Sequence, residues 1–97
     1  MQRYSIIYGK DFLRDLKRII KSGDKKVKEK VENIIEKLKI EPHKKRSGVD
    51  IKLISPRKEA VYRVRIGKYR MVYQIDEDAK KIYITMIFLK TSPQDYR

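Results

Sequence analysis

The sequence contains no cysteine and no tryptophan, and His43 is its single histidine. The absence of cysteine excludes disulfide bonds, thiolate metal sites and a cysteine nucleophile. A single histidine leaves no pair of histidine metal ligands, and the P-loop, GxSxG and HExxH motifs are missing too. We therefore expect no metal and no cofactor, and any chemistry must depend on Arg, Lys and Tyr side chains.

Long apolar runs are also missing. No stretch approaches the ~18 residues of a membrane-spanning helix, and the apolar part of MQRYSIIYGKDF is too short for a signal peptide. The chain is long enough for one domain, residues 1–97, and too short for two. We expect a single cytoplasmic domain without a membrane partner.

Acidic residues are scarce relative to basic ones. The chain has 26 Lys and Arg against 13 Asp and Glu, which gives a formal net charge of +13. Such a charge predicts an anionic partner, for which nucleic acid, an acidic protein and a membrane surface are the candidates. Because 40% of the residues are hydrophobic, the chain can still form a core, and we expect a folded basic domain.

Two amphipathic helices should follow a first strand at residues 3–8. Helical spacing of apolar residues indicates a first helix that ends at Gly23, with a stripe formed by Phe12, Leu13, Leu16, Ile19 and Ile20. Asp24 is expected to cap the second helix, which ends before Pro42 and has a stripe formed by Val27, Val31, Ile34, Ile35 and Leu38. The short connection between the two helices predicts that they form an antiparallel helical hairpin.

The remaining residues predict four strands, at 49–54, 60–66, 69–75 and 81–89. Turn residues separate them. A strand, a helical hairpin and a four-stranded antiparallel meander make an α+β fold with the helices packed on one sheet face. The last strand is apolar on both faces, which places it inside the sheet.

The most informative segment is the hairpin around Gly67-Lys68, a sequence that favours a two-residue type II′ turn. This turn pairs Arg65 with Arg70, and the alternation of strand residues then places Arg63 on the same face. The opposite parity faces the helices and comprises Tyr62, Val64, Ile66, Tyr69, Met71 and Tyr73. Like charges opposite each other destabilise a sheet by up to about 1 kcal/mol, so an anion is expected to compensate.

Arginine binds phosphate through two parallel hydrogen bonds, which makes a phosphate site the sharper interpretation of this cluster. A solvated sheet face that is basic by chance is the alternative, because 26 of 97 residues are Lys or Arg. Other candidates for RNA binding are Lys44, Lys45 and Arg46, in a loop where no acidic partner is expected, together with Lys52 and Lys68. An exposed loop explains the first three equally well, and His43 is interpreted as an ordinary loop residue.

The order of these elements, and above all the segment YRVRIGKYRMVYQI, resembles the RelE/ParE superfamily of small toxins from prokaryotic toxin–antitoxin pairs. The likeness is greatest to RelE-type messenger-RNA endonucleases. It implies that Arg63, Arg65 and Arg70 contact the scissile phosphate, with Arg70 at the family's central arginine. The tail LKTSPQDYR resembles the segment in which the family places a basic residue and then a tyrosine, which implies catalytic positions at Lys90 and Tyr96.

The reaction that the resemblance implies is attack of a ribose 2′-OH on its adjacent phosphodiester, on the ribosome and without a metal. The resemblance implies Tyr96 or Lys90 as the general base, and Glu59 is a rival to them, although a salt bridge suits Glu59 better. The ParE branch of the superfamily keeps the fold and inhibits DNA gyrase, and a non-catalytic RNA-binding domain is a third interpretation. The expected partners are messenger RNA, the ribosome and a cognate acidic antitoxin that forms a hetero-oligomer with this chain.

Overall fold

The computed structural model describes residues 3–56 and 60–90, in which the chain forms two helices and five strands. Their order matches the prediction, and most boundaries differ from it by one or two residues. The elements are β1 (Ser5–Tyr8), α1 (Lys10–Lys21), α2 (Lys26–Ile40), β2 (Asp50–Ser55), β3 (Val61–Ile66), β4 (Tyr69–Asp76) and β5 (Lys81–Leu89).

The strands form one mixed sheet in the order β1-β5-β4-β3-β2. Strands β2 to β5 make the antiparallel meander that the sequence predicts. Strand β1 joins β5 in parallel, because the intervening helices carry the chain across before the meander begins. Strand β5 therefore lies inside the sheet, as its apolar pattern indicates.

The hydrophobic core lies between the helices and one face of the sheet. The predicted stripe of α2 is buried against alternate residues of the strands, among them Val64, Met71, Tyr73 and Ile82. A bulge in β5 interrupts this alternation, because Val72 pairs with Met86 and the next residue, Tyr73, pairs with Ile84. Met86 is consequently 42% exposed on the outer face, whereas Ile87 is buried.

The connection between the helices differs from the prediction at Asp24. The N-cap of α2 is Lys25, and no side chain caps this helix. The Asp24 carboxylate instead accepts a hydrogen bond of 2.8 Å from the Tyr69 hydroxyl. The expected cap was wrong because a contact between residues distant in sequence takes the carboxylate. Neither helix of the described ranges has the length and apolarity that crossing a lipid bilayer requires.

The β3–β4 turn has the predicted geometry. Gly67 has a φ of 59°, as the first central position of a type II′ turn requires, and the following strands pair Ile66 with Tyr69 and Arg65 with Arg70. This register fixes which side chains share the outer face of the sheet, opposite the helices.

Candidate functional site

The outer face of the sheet carries two adjacent rows of basic residues. In one row Lys52 of β2 lies opposite Arg63 of β3. In the next row Arg65 lies between Asp50 of β2 and Arg70 of β4. This register places the three predicted arginines on one face, where Lys52 and Arg65 are exposed and Arg63 is half-buried.

Arg70 is held more tightly than the sequence indicates. Its side chain lies largely inside the protein, with 8% of the residue exposed. Nη1 donates hydrogen bonds to the carbonyl oxygens of Gly67, at 3.2 Å, and Tyr69, at 2.9 Å. One edge of the guanidinium is thus fixed to the turn, and the N–H groups of Nε and Nη2 remain for other acceptors.

Repulsion between Arg65 and Arg70 is moderated by their surroundings. The carbonyl dipoles of the turn face Arg70, and Asp50 lies across the sheet from Arg65. The hairpin sequence suggested that a bound anion offsets the repulsion between these two arginines. In the structure, the turn carbonyls and Asp50 also offset it. A fixed guanidinium at Arg70 remains beside the exposed Arg65, and a fixed donor is what binding a phosphate at a defined position requires.

Two further predicted cations lie at the same end of the sheet. The Lys90 backbone N–H donates to the Lys68 carbonyl oxygen at 3.0 Å, which ties the end of β5 to the β3–β4 turn. The Lys68 ammonium lies 5.7 Å from the centre of the Tyr69 ring. Lys68 therefore lies in the turn that holds Arg70 and Lys90 lies beside it, while Tyr96 and Glu59 lie outside the described residues.

The loop before β2 differs from the expectation that its cations have no acidic partner. The Lys45 ammonium lies 3.6 Å from the Asp50 carboxylate. The Arg46 guanidinium donates to the carbonyl oxygens of Lys37, Glu41 and Lys44, so it fastens the loop to the end of α2. Lys44 is exposed.

His43 is more than the ordinary loop residue that the sequence suggests. Its Nδ1 lies 3.0 Å from the Glu41 carboxylate, and its Nε2 contacts Glu77 in the β4–β5 turn. The Tyr4 hydroxyl donates to the same Glu77 at 2.7 Å. We call these four residues the His43 cluster. Within the described ranges, no group of three or more His, Asp or Glu side chains has the arrangement of a metal site.

The contacts of the cluster shift the pKa values of Glu41, Glu77 and Tyr4. Burial acts to raise the pKa of the Glu41 and Glu77 carboxyls, but the hydrogen bonds they accept outweigh it and lower both values. The pKa of Tyr4 is raised by burial and by its bond to Glu77. Burial likewise raises the pKa of Tyr62, Tyr69 and Tyr73, so these tyrosines are poorly suited to act as a base.

Two sequence comparisons agree on the family. Residues 6–89 match the family model described as the ParE toxin of the type II toxin–antitoxin system parDE. The chain is also 40% identical over 85 residues to RelE1 of Methanocaldococcus jannaschii, an inferred toxin, with 88% of each chain covered. The chain belongs to the ParE/RelE toxin family. It is a RelE-like toxin of a type II toxin–antitoxin system, which confirms the resemblance seen in the sequence.

Solved structures share the fold of this toxin. A chain of the RelE–RelB complex from Pyrococcus horikoshii matches with a TM-score of 0.75 and 20% identity, covering 91% of this chain and 96% of that one. A chain of the RelB–RelE complex from Methanococcus jannaschii gives 0.68 and 24%, covering 94% and 98%. A chain of the YoeB dimer from Staphylococcus aureus gives 0.68 and 20%, covering 93% and 98%.

The toxin fold brings most of the predicted site residues together and separates others. The three arginines and Lys52 share the outer face, with Lys68 and Lys90 at its end. Lys45 and Arg46 are engaged within the protein. Asp50 was missed, although its position two residues before Lys52 on one strand could have placed it on the same face.

Proposed function

We propose that this toxin is a metal-independent endoribonuclease that cleaves messenger RNA on the ribosome and so inhibits translation. The observation that carries the proposal is the Arg65–Arg70 pair, in which one guanidinium is fixed by the β3–β4 turn and the other is exposed beside it. Such a pair suits the non-bridging oxygens of one phosphodiester.

The reaction has three needs. The 2′-OH must lose a proton, the phosphorane oxygens gain negative charge, and the leaving 5′-oxygen must be neutralised. Arg65 and Arg70 are assigned to the phosphorane, and Arg63 supports the same group or the leaving oxygen. Lys90 and Tyr96 are assigned to proton transfer, because the described tyrosines with shifted pKa values are shifted away from the tyrosinate form.

Messenger RNA would be held by cations around the arginines. Lys52 extends the arginine face, Lys68 lies at its end, and Lys44 and Lys45 lie in the neighbouring loop. Arg46 contributes by holding that loop in place. The ribosome would position the substrate and so supply the proximity that the reaction needs. The reaction would accordingly take place in the cytoplasm.

A cognate antitoxin is the second proposed partner. The matched chains from P. horikoshii and M. jannaschii were each solved in complex with RelB. An acidic antitoxin would reduce the net charge of +13 and cover the arginine face.

The proposal is tested by adding the purified toxin to a reconstituted translation reaction and mapping the 5′ ends of a defined message. New ends should appear within translated codons and depend on ribosomes, and Lys26→Ala, on the exposed surface of α2, should produce the same ends. Intact message with continuing translation would contradict the proposal. Tight RNA binding without new ends would favour the RNA-binding domain that the sequence left open.

One observation favours a second candidate, inhibition of DNA gyrase. The matching family model is described as a ParE toxin, and the ParE branch of the superfamily inhibits DNA gyrase. A supercoiling assay with purified gyrase separates the two functions. Inhibition of supercoiling together with intact message would favour gyrase, whereas the arginine pair predicts the reverse.

A further inference from the structure

The connection between the two helices is bonded to the turn that holds Arg70. The Tyr69 hydroxyl donates its hydrogen bond of 2.8 Å to the Asp24 carboxylate, and the two residues are 45 positions apart in the chain. Lys30 of α2 is also close to this turn, because a Cβ atom added at Gly67 would lie 3.7 Å from the Lys30 Nζ atom. The helical hairpin therefore supports the β3–β4 turn from the side of the helices.

The segment that carries Asp24 is itself held in place. The backbone N–H and the hydroxyl of Ser22 both donate to the Ile19 carbonyl oxygen, at 3.2 Å and 2.7 Å. The Lys25 N–H donates to the Gly23 carbonyl oxygen at 3.1 Å, so a hydrogen bond also closes the chain around Asp24. These bonds order the end of α1 and the connector that follows it. Asp24 is therefore an acceptor at a defined position.

Tyr69 joins this acceptor to the arginine. It is buried, with 7% of the residue exposed, and its carbonyl oxygen accepts the 2.9 Å bond from Nη1 of Arg70. Tyr69 is also the first residue of β4, so its bond to Asp24 fixes the chain where the pairing of β3 with β4 ends. Burial and the bond to Asp24 raise the pKa of Tyr69, which means that the hydroxyl keeps the proton it donates.

We propose that Asp24 and Tyr69 are positioning residues for RNA cleavage, which hold the Arg70 guanidinium in the orientation that the scissile phosphate requires. This inference rests on the endoribonuclease function proposed above. Tyr69 packs in the core and acts through its carbonyl oxygen, and Asp24 acts through Tyr69. A guanidinium that turns freely still attracts a phosphate, but it stabilises the charge that develops in the transition state less well. Loss of the bond should therefore slow the chemical step more than it weakens substrate binding.

The first test is the kinetics of message cleavage on the ribosome. Tyr69→Phe removes the hydroxyl and keeps the ring, and its kcat should fall roughly tenfold while KM for the programmed ribosome changes less than about twofold. Asp24→Ala should lower kcat by a similar factor, whereas Asp24→Asn keeps an acceptor oxygen and should retain most of the wild-type kcat. A protein with both Asp24→Ala and Tyr69→Phe should be no slower than either single variant, because each change removes the same bond.

Tyr4→Phe is the matched control. The Tyr4 hydroxyl also donates to a carboxylate, that of Glu77 at 2.7 Å, but Glu77 follows the other end of β4. Tyr4→Phe should destabilise the fold and keep the wild-type kcat at temperatures where all the proteins are folded. A wild-type kcat in Tyr69→Phe would overturn the inference. Equal losses of kcat in Tyr4→Phe and Tyr69→Phe would overturn it too, because they would reflect a general loosening of the fold.

The second test needs no substrate. The NMR order parameter of the Arg70 Nε–H group reports how firmly the guanidinium is held in the free toxin. In Tyr69→Phe it should fall towards the values below about 0.6 that are typical of flexible groups, and in Tyr4→Phe it should match the wild type. An unchanged order parameter in Tyr69→Phe would contradict the positioning role.

Failure of the proposed function has a different signature. If the wild-type toxin leaves the message intact on the ribosome, the endoribonuclease function is wrong and the positioning role falls with it. If the wild type cleaves and Tyr69→Phe cleaves with the same kcat, only the positioning role is wrong.

Discussion

At the scale of single residues, Arg70 has two tasks. Its Nη1 atom holds the β3–β4 turn through two carbonyl oxygens, and its remaining N–H groups are those assigned to the phosphate. The sequence predicted its face and its pairing with Arg65 because turn chemistry fixes both. It did not predict the burial of Arg70, because a side chain that folds back onto its own turn leaves no periodic pattern.

Arg70→Ala should therefore lower both stability and activity. Loss of two charge-assisted hydrogen bonds should cost about 2 kcal/mol in the free energy of unfolding, measured in urea. Cleavage should slow by roughly 100-fold or more at temperatures where both proteins are folded. The exposed Arg65 provides the control, because Arg65→Ala should slow cleavage while changing stability by less than about 0.5 kcal/mol. A folded Arg70→Ala protein that cleaves at the native rate would refute the role.

Tyr73 shows the same dependence on long-range contacts. It is fully buried, and its hydroxyl donates to the Pro42 carbonyl oxygen at 2.8 Å, which holds the start of the loop against the sheet. Tyr73→Phe should destabilise the protein by about 1 to 3 kcal/mol, because the carbonyl loses its partner. Tyr83 is half-buried on the outer face, and Tyr83→Phe should change the unfolding midpoint little. Equal effects of the two substitutions would argue against this bond.

At the scale of elements, local patterns were enough to predict the helices, the strands and the type II′ turn. The contacts that the sequence did not predict join residues that are far apart in the chain. Asp24 bonds to Tyr69, 45 residues away, and His43 contacts Glu77, 34 residues away. The bulge in β5 was missed because both parities of that strand are apolar, which hides the shift. Hydrophobic periodicity reports one element at a time and carries no information on such pairs.

The His43 cluster ties the loop after α2 to the β4–β5 turn and should make stability depend on pH. The pKa values of Glu41 and Glu77 are lowered from 4.5 in the folded protein, so the unfolded chain binds protons at higher pH. The stability that these two carboxylates contribute is present above their unfolded pKa values. It is lost as the pH falls through their lower pKa values in the folded protein. Urea unfolding below about pH 5 should show a smaller loss of stability in Glu77→Gln than in the wild type.

Glu29→Gln, on the exposed surface of α2, is the matched control for this experiment and should follow the wild-type pH dependence. The same dependence in all three proteins would show that the cluster does not contribute.

At the scale of the whole molecule, basic residues are concentrated on two surfaces. The outer sheet face carries the arginines, and a groove on α1 is lined by Arg14, Lys17, Arg18 and Lys21. The composition alone predicted an anionic partner, but a net charge does not indicate where on the molecule that partner binds. The proposed surface for RNA follows from the strand register, which only the assembled sheet defines.

The proposed chemistry is tested most directly by removing the nucleophile from the substrate. A message that carries a single 2′-deoxynucleotide at a mapped cleavage site should remain intact at that site on the ribosome, even with a chelator present. The unmodified message should give a 2′,3′-cyclic phosphate and a 5′-OH at the same position. Cleavage of the deoxy-substituted message at that position, or a 3′-OH end on the natural product, would contradict attack by the 2′-OH.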